Sequence, residues 1–548
     1  MSLSAFLRSE SATNAETQKF DLIVIGGGIT GAGITLDATL RGLKVLLIEK
    51  DDFAFGTSSR STKLIHGGLR YLKNLEFGLV KELGMERAVV HRIAPHLTIP
   101  EKMLTPIVKN GTYGKLLSAI GIGLYDLLAK VKKVERRQML DIEQTTKAEP
   151  LLRKEILLGS ALYYEYRTDD ARLTIEIIKT AVSKGAVCLN YTQVNSFEYT
   201  NNVVSGVKAF DSIEKKFRIF TSSMVVNAAG PWVDDLRKLN EEIKGKYLHL
   251  TKGVHIVVPK EKLPVKQAVY FDVFDGRMIF IIPRHQITYI GTTDTDYKGN
   301  IDKPSIKYED AQYLVKAVNY MLPDVNLKIK DIISGWAGLR PLIHQDNKNT
   351  SEISRKDEIF ISDSQLISIA GGKLTGYRKM SEKVVDFVIK KLGLIHVKSN
   401  TDKVKLSGGN FENYTDVELF KEKICNFFNQ NFENASEVAS RLVHLYGQNT
   451  DEIIALFLNE VMNFDPEEAL IRSELLYCLK YEGIQTISDF FIRRTGMVYF
   501  EPNKVEKYKH VISDCLHLHL NKSEETINKE KLDLEYAIEL NIGFKKML

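Results

Sequence analysis

The sequence predicts an α/β protein: a mostly parallel sheet covered by helices, a second, antiparallel sheet, and an all-helical C-terminal domain. Three observations predict it. Phe20–Lys50 reads strand, glycine turn, helix, strand; Tyr247–Gly299 carries many short strand-like runs; and from Asp416 one helical pattern follows another.

Asp21–Ile25 is apolar almost throughout, as in a parallel strand buried on both faces. It runs into Gly26, Gly27, Gly28, Ile29, Thr30 and Gly31. Ile34, Leu36 and Leu40 then recur at helical spacing, Gly42 can end that helix, and Val45–Ile48 is a second buried strand closed by Glu49. Gly26 allows the turn, Gly28 lets the backbone approach a pyrophosphate, and Gly31 lets helix pack on sheet. The helix N-terminus faces the phosphate charge, and Glu49 stands where a ribose diol needs an acceptor. Strand, helix and acid together make this a dinucleotide-binding turn, with Lys50 at its edge.

Asp51–Tyr71 is polar and glycine-containing, a poor helix and a poor strand; its hydroxyls and amides suit a cofactor wall. A nicotinamide-binding domain would continue with another strand–helix unit here, so a flavin is favoured over NAD. Glu76–Val90 is expected to be helical. Tyr113–Val134 repeats leucines and isoleucines at helical spacing between lysines, which suits either a helix resting on anionic lipid or a core helix with solvated basic ends.

Ser160–Tyr166 alternates like a strand, Arg172–Gly185 is helical, and Ala186–Tyr191 is a strand, followed by Gln193 and Val194. Asn202–Phe220 reads as a β-meander, and the run from Ser223 ends in a sharp turn at Ala229, Gly230 and Pro231. Val254–Val258, Met278–Ile282 and Thr288–Thr293 are antiparallel strands, the expected floor of a substrate pocket. Asp310–Met321 is a helix, and Ile332–Pro341 a strand turning at Arg340. Leu366–Ala370 leads through Gly371, Gly372, Lys373, Leu374 and Thr375 into a helix over Tyr377–Leu392, whose N-terminus can hold negative charge. Beyond a linker at Val404–Gly409, helices are expected over Leu419–Asn429, Glu437–Leu445, Asp451–Leu458, Pro466–Lys480 and Thr486–Arg494, for packing, dimerisation or membrane docking.

The chain has 548 residues, enough for several domains, and its 75 basic against 70 acidic residues leave +5. That excess is too mild for nucleic acid and fits anionic small substrates or a lipid surface. The four cysteines are scattered singly, which excludes a disulfide framework or zinc site and points to a reducing compartment. HExxH and a cysteine pair are absent, so no metal is expected, and there is no GxSxG nucleophile elbow. The first 19 residues read as a loose polar arm without a signal-peptide core, and no apolar run is long enough to span a bilayer.

GGGITGAG, TSSRSTKLIHGGLRYL, VNAAGPW, IGTTDTDY, GLRPL and GGKLTGYR occur in this order. Together they resemble the FAD-dependent glycerol-3-phosphate dehydrogenases, flavoproteins of the D-amino-acid-oxidase-like class. The likeness runs from Phe20 to the end, because FFIRRTGMVYF also resembles that family's C-terminal domain. The resemblance implies a Rossmann-like FAD-binding domain from 20–75, 150–245 and 332–395, a substrate-binding cap from 76–149 and 246–331, and a helical domain from 400–548. It implies FAD-dependent oxidation of sn-glycerol 3-phosphate to dihydroxyacetone phosphate and electron transfer to a membrane quinone. A homodimer at the cytoplasmic face of the membrane, against anionic lipid, goes with it. Two alternatives stand: a peroxide-forming oxidase of the same fold, and a non-catalytic FAD-binding, membrane-docking module.

The cofactor residues so implied are Gly26, Gly28, Ile29, Thr30, Gly31, Glu49 and Lys50 from the first turn. Thr57, Ser58, Ser59, Ser61, Lys63, Leu64, His66, Gly67 and Gly68 come from the polar loop. Val194, Ala229, Gly230, Gly372, Lys373, Leu374 and Thr375 come from later turns. For the phosphate, Arg70, Arg340 and Arg355 sit at family motif positions and Lys373 adds a fourth cation, since guanidinium forks bond two oxygens at once. Oxidation at C2 needs a base near the hydroxyl. His255 is the first choice and His66 the second; Lys373 can orient the hydroxyl, and Thr293 and Tyr71 are candidate polar contacts.

Overall fold

A computed structural model describes residues 3–67, 77–109, 111, 137–344 and 357–547. The first part of the chain supplies β1 (Lys19–Ile25), β2 (Val45–Ile48), β3 (Leu64–Ile65), β4 (Thr98–Val108), β5 (Gln138–Leu140) and β6 (Leu157–Thr168). Next come β7 (Val187–Leu189), β8 (Thr192–Thr200), β9 (Val203–Asp211), β10 (Lys216–Asn227) and β11 (Leu248–Pro259). The remainder are β12 (Ala268–Asp272), β13 (Met278–Arg284), β14 (Ile287–Gly291), β15 (Thr295–Asp296), β16 (Ser334–Ile343), β17 (Glu358–Ile361) and β18 (Ile367–Ala370).

The first sheet runs β17-β18-β10-β1-β2-β7, parallel except at its β17 edge, with β9 and β8 added antiparallel to β10. Successive side chains of a strand point to opposite faces, and β1 and β2 feed two cores accordingly. Leu22, Val24, Val45 and Leu47 pack under helices Ile29–Leu40, Asp170–Ser183 and Tyr377–Lys391; Ile23, Ile25, Leu46 and Ile48 pack on the other side with Phe197, Val207 and Phe220. Each fully buried aliphatic side chain contributes about 1.5–3 kcal/mol, which makes this sheet a rigid base for the turns at its strand ends.

The second sheet runs β15-β11-β14-β13-β12-β4-β6-β3, with β16 on β11 and β5 on β6. Helix Tyr308–Met321 closes its core through Leu314, Val318 and Met321. Two strands from segments expected in the FAD-binding domain, β6 and β16, pair in this sheet. β6 pairs with β4 along its length, and β16 pairs antiparallel with β11 from Leu248/Ile343 to Val257/Ser334. Alternating strands read alike in either sheet; only the pairing distinguishes them.

Residues 1–19 are not a loose arm where they are described. Arg8–Glu16 is a helix, Ala12 and Ala15 are buried in the lower core, and Lys19 already opens β1. Arg8 is buried, paired with Asp211 at 3.0 Å and donating to Asn190 O at 2.6 Å. A short polar helix anchored by ion pairs at both ends, Arg8–Asp211 and Glu16–Arg218, leaves no apolar pattern to read.

The C-terminal domain is all-helical: Tyr414–Phe428, Ala435–Tyr446, Thr450–Glu460, Pro466–Tyr481, Met497–Phe500, Pro502–Leu520 and Glu524–Ile542. The segment expected as a helix at Thr486–Arg494 forms a π-helix over Asp489–Arg494. Fully buried charges tie this domain to the first: Arg172 Nη1 reaches Glu482 Oε2 at 2.6 Å and Lys179 Nζ reaches Oε1 at 3.1 Å, which holds the Glu482 carboxyl far below its ordinary range. Among the described residues no helix is long and apolar enough to cross a membrane, and no cluster could hold a metal ion. The amphipathic stretch 113–134 lies outside the described residues.

Candidate active site

The turn after β1 is built for close approach. Gly26 has φ +111°, and a Cβ there would meet Ala228 O at 2.6 Å; a Cβ on Gly31 would meet Gly26 O at 1.9 Å. Helix Ile29–Leu40 starts at Gly28 with no side-chain cap, so its positive end faces the turn, where Ser58 Oγ accepts from Ile29 N at 2.9 Å. Glu49 accepts from Gly27 N at 2.7 Å and from Asp51 N at 2.9 Å. Burial pushes its carboxyl up to about 7, so a donor placed against it, such as a ribose hydroxyl, favours the charged form.

A cavity of about 700 Å³ extends from this turn past Thr57–His66 and the Ala229–Trp232 turn to the β11/β16 pair and the Gly371–Thr375 loop. It opens at the ends of β1 and β10, where the chain order of the parallel sheet reverses, the usual ligand crevice of such sheets. Thr375 Oγ1 bonds both the N–H and the carbonyl of His66 at 3.1 Å, tying the two loops together.

At the far end, β11 and β16 present one face to the cavity. His255 pairs with Trp336, Gly253 with Gly338, and Thr251 with Arg340, so two glycines lie opposite one another between larger side chains. The Gly338 hollow receives Arg60 O, which would be 2.3 Å from a Cβ there. His255 stacks on Trp336 with centroids 4.8 Å apart and 12° between planes, and its Nε2 lies 3.0 Å from Thr62 Oγ1. Gly291 makes room for the ring: a Cβ there would be 2.0 Å from His255 Cδ2. Burial first, then the charges of Arg340 and Lys63, hold His255 well below its ordinary value, so the ring is neutral at pH 7.

Arg340 donates to Asp294 Oδ1 at 3.0 Å, Thr293 O at 3.2 Å and Thr292 Oγ1 at 2.9 Å, and a Cβ on Gly253 would be 2.2 Å from Nη2. Lys373 lines the cavity beside Glu165, a buried carboxylate paired with Arg87 at 2.9 Å that feels the Lys373 charge and accepts from Gly67 N. One end of the cavity therefore suits a nucleotide, and the other an anion beside a neutral imidazole.

The FAD-dependent oxidoreductase family model matches residues 21–371, and a model of the C-terminal domain of α-glycerophosphate oxidase matches 399–527. The aerobic glycerol-3-phosphate dehydrogenase of Staphylococcus aureus (strain USA300) is 47% identical over 544 residues, covering 98% of each chain. The crystal structure of the Bacillus halodurans glycerol-3-phosphate dehydrogenase, complexed with FAD, superposes with a TM-score of 0.85 at 42% identity over 98% of both chains. The FAD-bound Mycoplasma pneumoniae L-α-glycerophosphate oxidase shares the fold, with a TM-score of 0.55 at 18% identity over 70% of this chain and 97% of its own. The chain belongs to the FAD-dependent glycerol-3-phosphate dehydrogenase family. Its cofactor is FAD, and the glycine turn, the Glu49 carboxylate and the cavity that joins them to the β11/β16 pair fit that group.

For this member of the family, the cavity wall includes Gly26, Gly28, Ile29, Thr30, Glu49, Lys50, Thr57, Ser58, Ser61, Leu64, His66, Val194, Ala229, Gly230, Gly372, Lys373, Leu374 and Thr375, together with His255 and Arg340. Four predicted residues stand behind it. Gly31 supports the turn, and Ser59 and Gly67 lie outside the wall. Lys63 is a buried strut, paired with Asp170 at 2.5 Å and donating to Ser59 O at 3.1 Å. Thr293, a candidate polar contact, also lies outside the wall. Its hydroxyl accepts from Val254 N at 3.0 Å and its carbonyl orients Arg340. A Thr or a buried Lys that serves the scaffold is indistinguishable in sequence from one that faces a ligand. Gly68, Arg70, Tyr71 and Arg355 lie outside the described residues.

Sequence reasoning reached Thr62 only as one of the loop hydroxyls and missed Trp336, Asp294, Arg60 and Glu165. Thr62 sits among several hydroxyls, and nothing in the spacing says which one meets His255. Arg60 lines the cavity with its guanidinium 5.1 Å from the Phe55 ring centroid. Glu165 falls in a strand whose alternation marks it only as inward.

Proposed function

We propose that the chain oxidises sn-glycerol 3-phosphate to dihydroxyacetone phosphate and delivers the electrons to a membrane quinone. What carries this reading is a neutral, buried His255 in the same cavity as Arg340, Lys373 and the glycine turn. When bound, FAD supplies the hydride acceptor, N5, for the hydrogen at C2. Arg340 and Lys373 bind and orient the phosphate dianion. His255 takes the C2-hydroxyl proton at Nε2, the nitrogen bonded to cavity-lining Thr62; Nδ1 is buried. Burial is the first cause of the depressed basicity of the free ring; a dianion beside Arg340 offsets the second, the Arg340 charge, and raises the basicity in part. Trp336 keeps the imidazole in one plane, and the cap sheet excludes water from it. The cations and the helix N-terminus at Tyr377 also favour the negative charge of the reduced cofactor.

The dehydrogenase name belongs to relatives alike over 98% of the chain, whereas the Mycoplasma pneumoniae oxidase shares only the fold; this supports an acceptor other than oxygen, for which a quinone is our reading. The same reading places a homodimer on the cytoplasmic surface of the membrane, against anionic lipid. Anaerobic mixing tests the chemistry: glycerol 3-phosphate should bleach the flavin absorbance and glycerol should not. An unbleached flavin would refute the activity, and stoichiometric peroxide in air would replace quinone by oxygen.

A further inference from the structure

Asp52 lies three residues beyond Glu49, in the loop between the ribose-binding acid and the cavity-lining Thr57 and Ser58. That loop leans directly on the glycine turn. Ala54 N donates to Gly27 O at 3.0 Å, and a Cβ on Gly27 would be 2.7 Å from Phe53 Cδ1. The Asp52 carboxylate is fully buried and is gripped from another domain. Arg493 Nε reaches Oδ2 at 2.5 Å, Arg494 Nη1 reaches Oδ2 at 2.8 Å, and Arg494 Nη2 reaches Oδ1 at 2.9 Å.

Both arginines end the π-helix Asp489–Arg494, a backbone irregularity of a kind that recurs at functional positions. Around them the grip is continuous. Arg493 Nη2 donates to Asp489 at 2.7 Å, and Asp489 accepts from Tyr191 OH at 2.6 Å. Tyr191 N donates to Asp51 O at 2.8 Å, and the next residues, Thr192 and Gln193, line the cavity. The Arg493 guanidinium lies 5.7 Å from the Phe55 ring centroid, and Phe55 leans on Trp232 in the cavity wall. None of the contacts between this π-helix and the loop uses an exposed pair.

We propose that the helical C-terminal domain retains the FAD: Arg493 and Arg494 are positioning residues that, through Asp52, hold the glycine turn and the Glu49 loop in the conformation that binds the nucleotide. The consequence is reciprocal. Cofactor binding stabilises the π-helix as much as the π-helix stabilises cofactor binding. This holds whatever the substrate or acceptor.

The test uses the full-length holoenzyme and reads FAD release on dilution by the recovery of flavin fluorescence. Arg494→Met and Asp52→Asn should each raise the FAD Kd by about tenfold or more, the change expected when a hydrogen bond to a buried charge is lost. Arg494→Lys should recover part of it. Arg441→Met, which breaks the Glu474 pair inside the helical domain, should lower Tm and leave the FAD Kd alone. If Arg441→Met and Arg494→Met raise the Kd in proportion to their loss of Tm, the grip is merely structural and the proposal fails. The wild-type protein supplies a readout that needs no variant: stripping FAD should speed amide exchange in 489–494 together with 50–58. Unchanged exchange in 489–494 would overturn the proposal outright.

Discussion

Arg340→Met separates substrate recognition from cofactor binding. A hydrogen bond to a charged group is worth about 1.5–3 kcal/mol, so a two-pronged guanidinium–phosphate contact puts about 3–6 kcal/mol at stake, or roughly 10²- to 10⁴-fold in kcat/KM. The structure narrows this. Arg340 is already shared with Asp294 at 3.0 Å, which lowers the attraction it can offer the phosphate. Removing it, however, takes from Asp294 that 3.0 Å partner and sets its charge against the dianion. The two corrections oppose each other, and a loss of about 10³-fold is expected, mostly as a higher KM. Asp294→Asn in the Arg340→Met background should recover about tenfold by removing the repulsion. The His255 ring should respond as well. Arg340 is the strongest charge holding it down, so the acid limb of kcat/KM should move up toward the unperturbed value near ~6.5. The assay is steady-state turnover with an artificial acceptor across pH, alongside flavin absorbance per protein. Loss of FAD with an unchanged KM, or an acid limb that does not move, would refute the reasoning.

His255→Gln should lower kcat by about 10²- to 10⁴-fold, the usual range for a general base, with flavin absorbance intact; near-normal turnover would hand the role to His66 or Lys373. Gly291→Ala should do much the same without touching a functional group, because its Cβ must push the His255 ring off Trp336; single-turnover flavin bleaching would show an unperturbed rate if the ring placement is irrelevant. His96 is fully buried and held down to about 3 by burial. The unfolded chain therefore binds its proton first, and stability is lost as pH falls from about 6.5 toward 3, about 2 kcal/mol by pH 5. His96→Asn should flatten the drop in Tm between pH 7 and pH 5, and an unaltered slope would contradict the assignment.

The local sequence carried the parts whose chemistry is local. A strand, a glycine turn, a helix and an acid at fixed spacing marked where a nucleotide binds. His255, on a pocket strand, Arg340, at a family motif position, and Lys373, in a glycine turn, were candidates in the sequence; that they line one cavity is tertiary. Strand membership was a different matter. β6 read as an alternating strand and β16 as a strand turning at Arg340, and either was assignable to either sheet until its partner was known. The loose N-terminal arm failed as an expectation for a related reason: the ion pairs Arg8–Asp211 and Glu16–Arg218 and two buried alanines, not an apolar stripe, hold Arg8–Glu16 in place.

What the sequence by itself determined is the set of groups and their order: where the backbone can turn tightly, which strands are buried on both faces, and which cations and imidazoles are available. Those depend on neighbours a few residues away. Only the tertiary structure decided which of these groups meet. Thr62 reaches His255 across 193 positions, Asp294 reaches Arg340 across 46, and Arg494 reaches Asp52 across 442. Burial and long-range pairing set both the protonation state of the imidazole and the identity of the domain that grips the nucleotide loop, and neither is a property of any short stretch of chain.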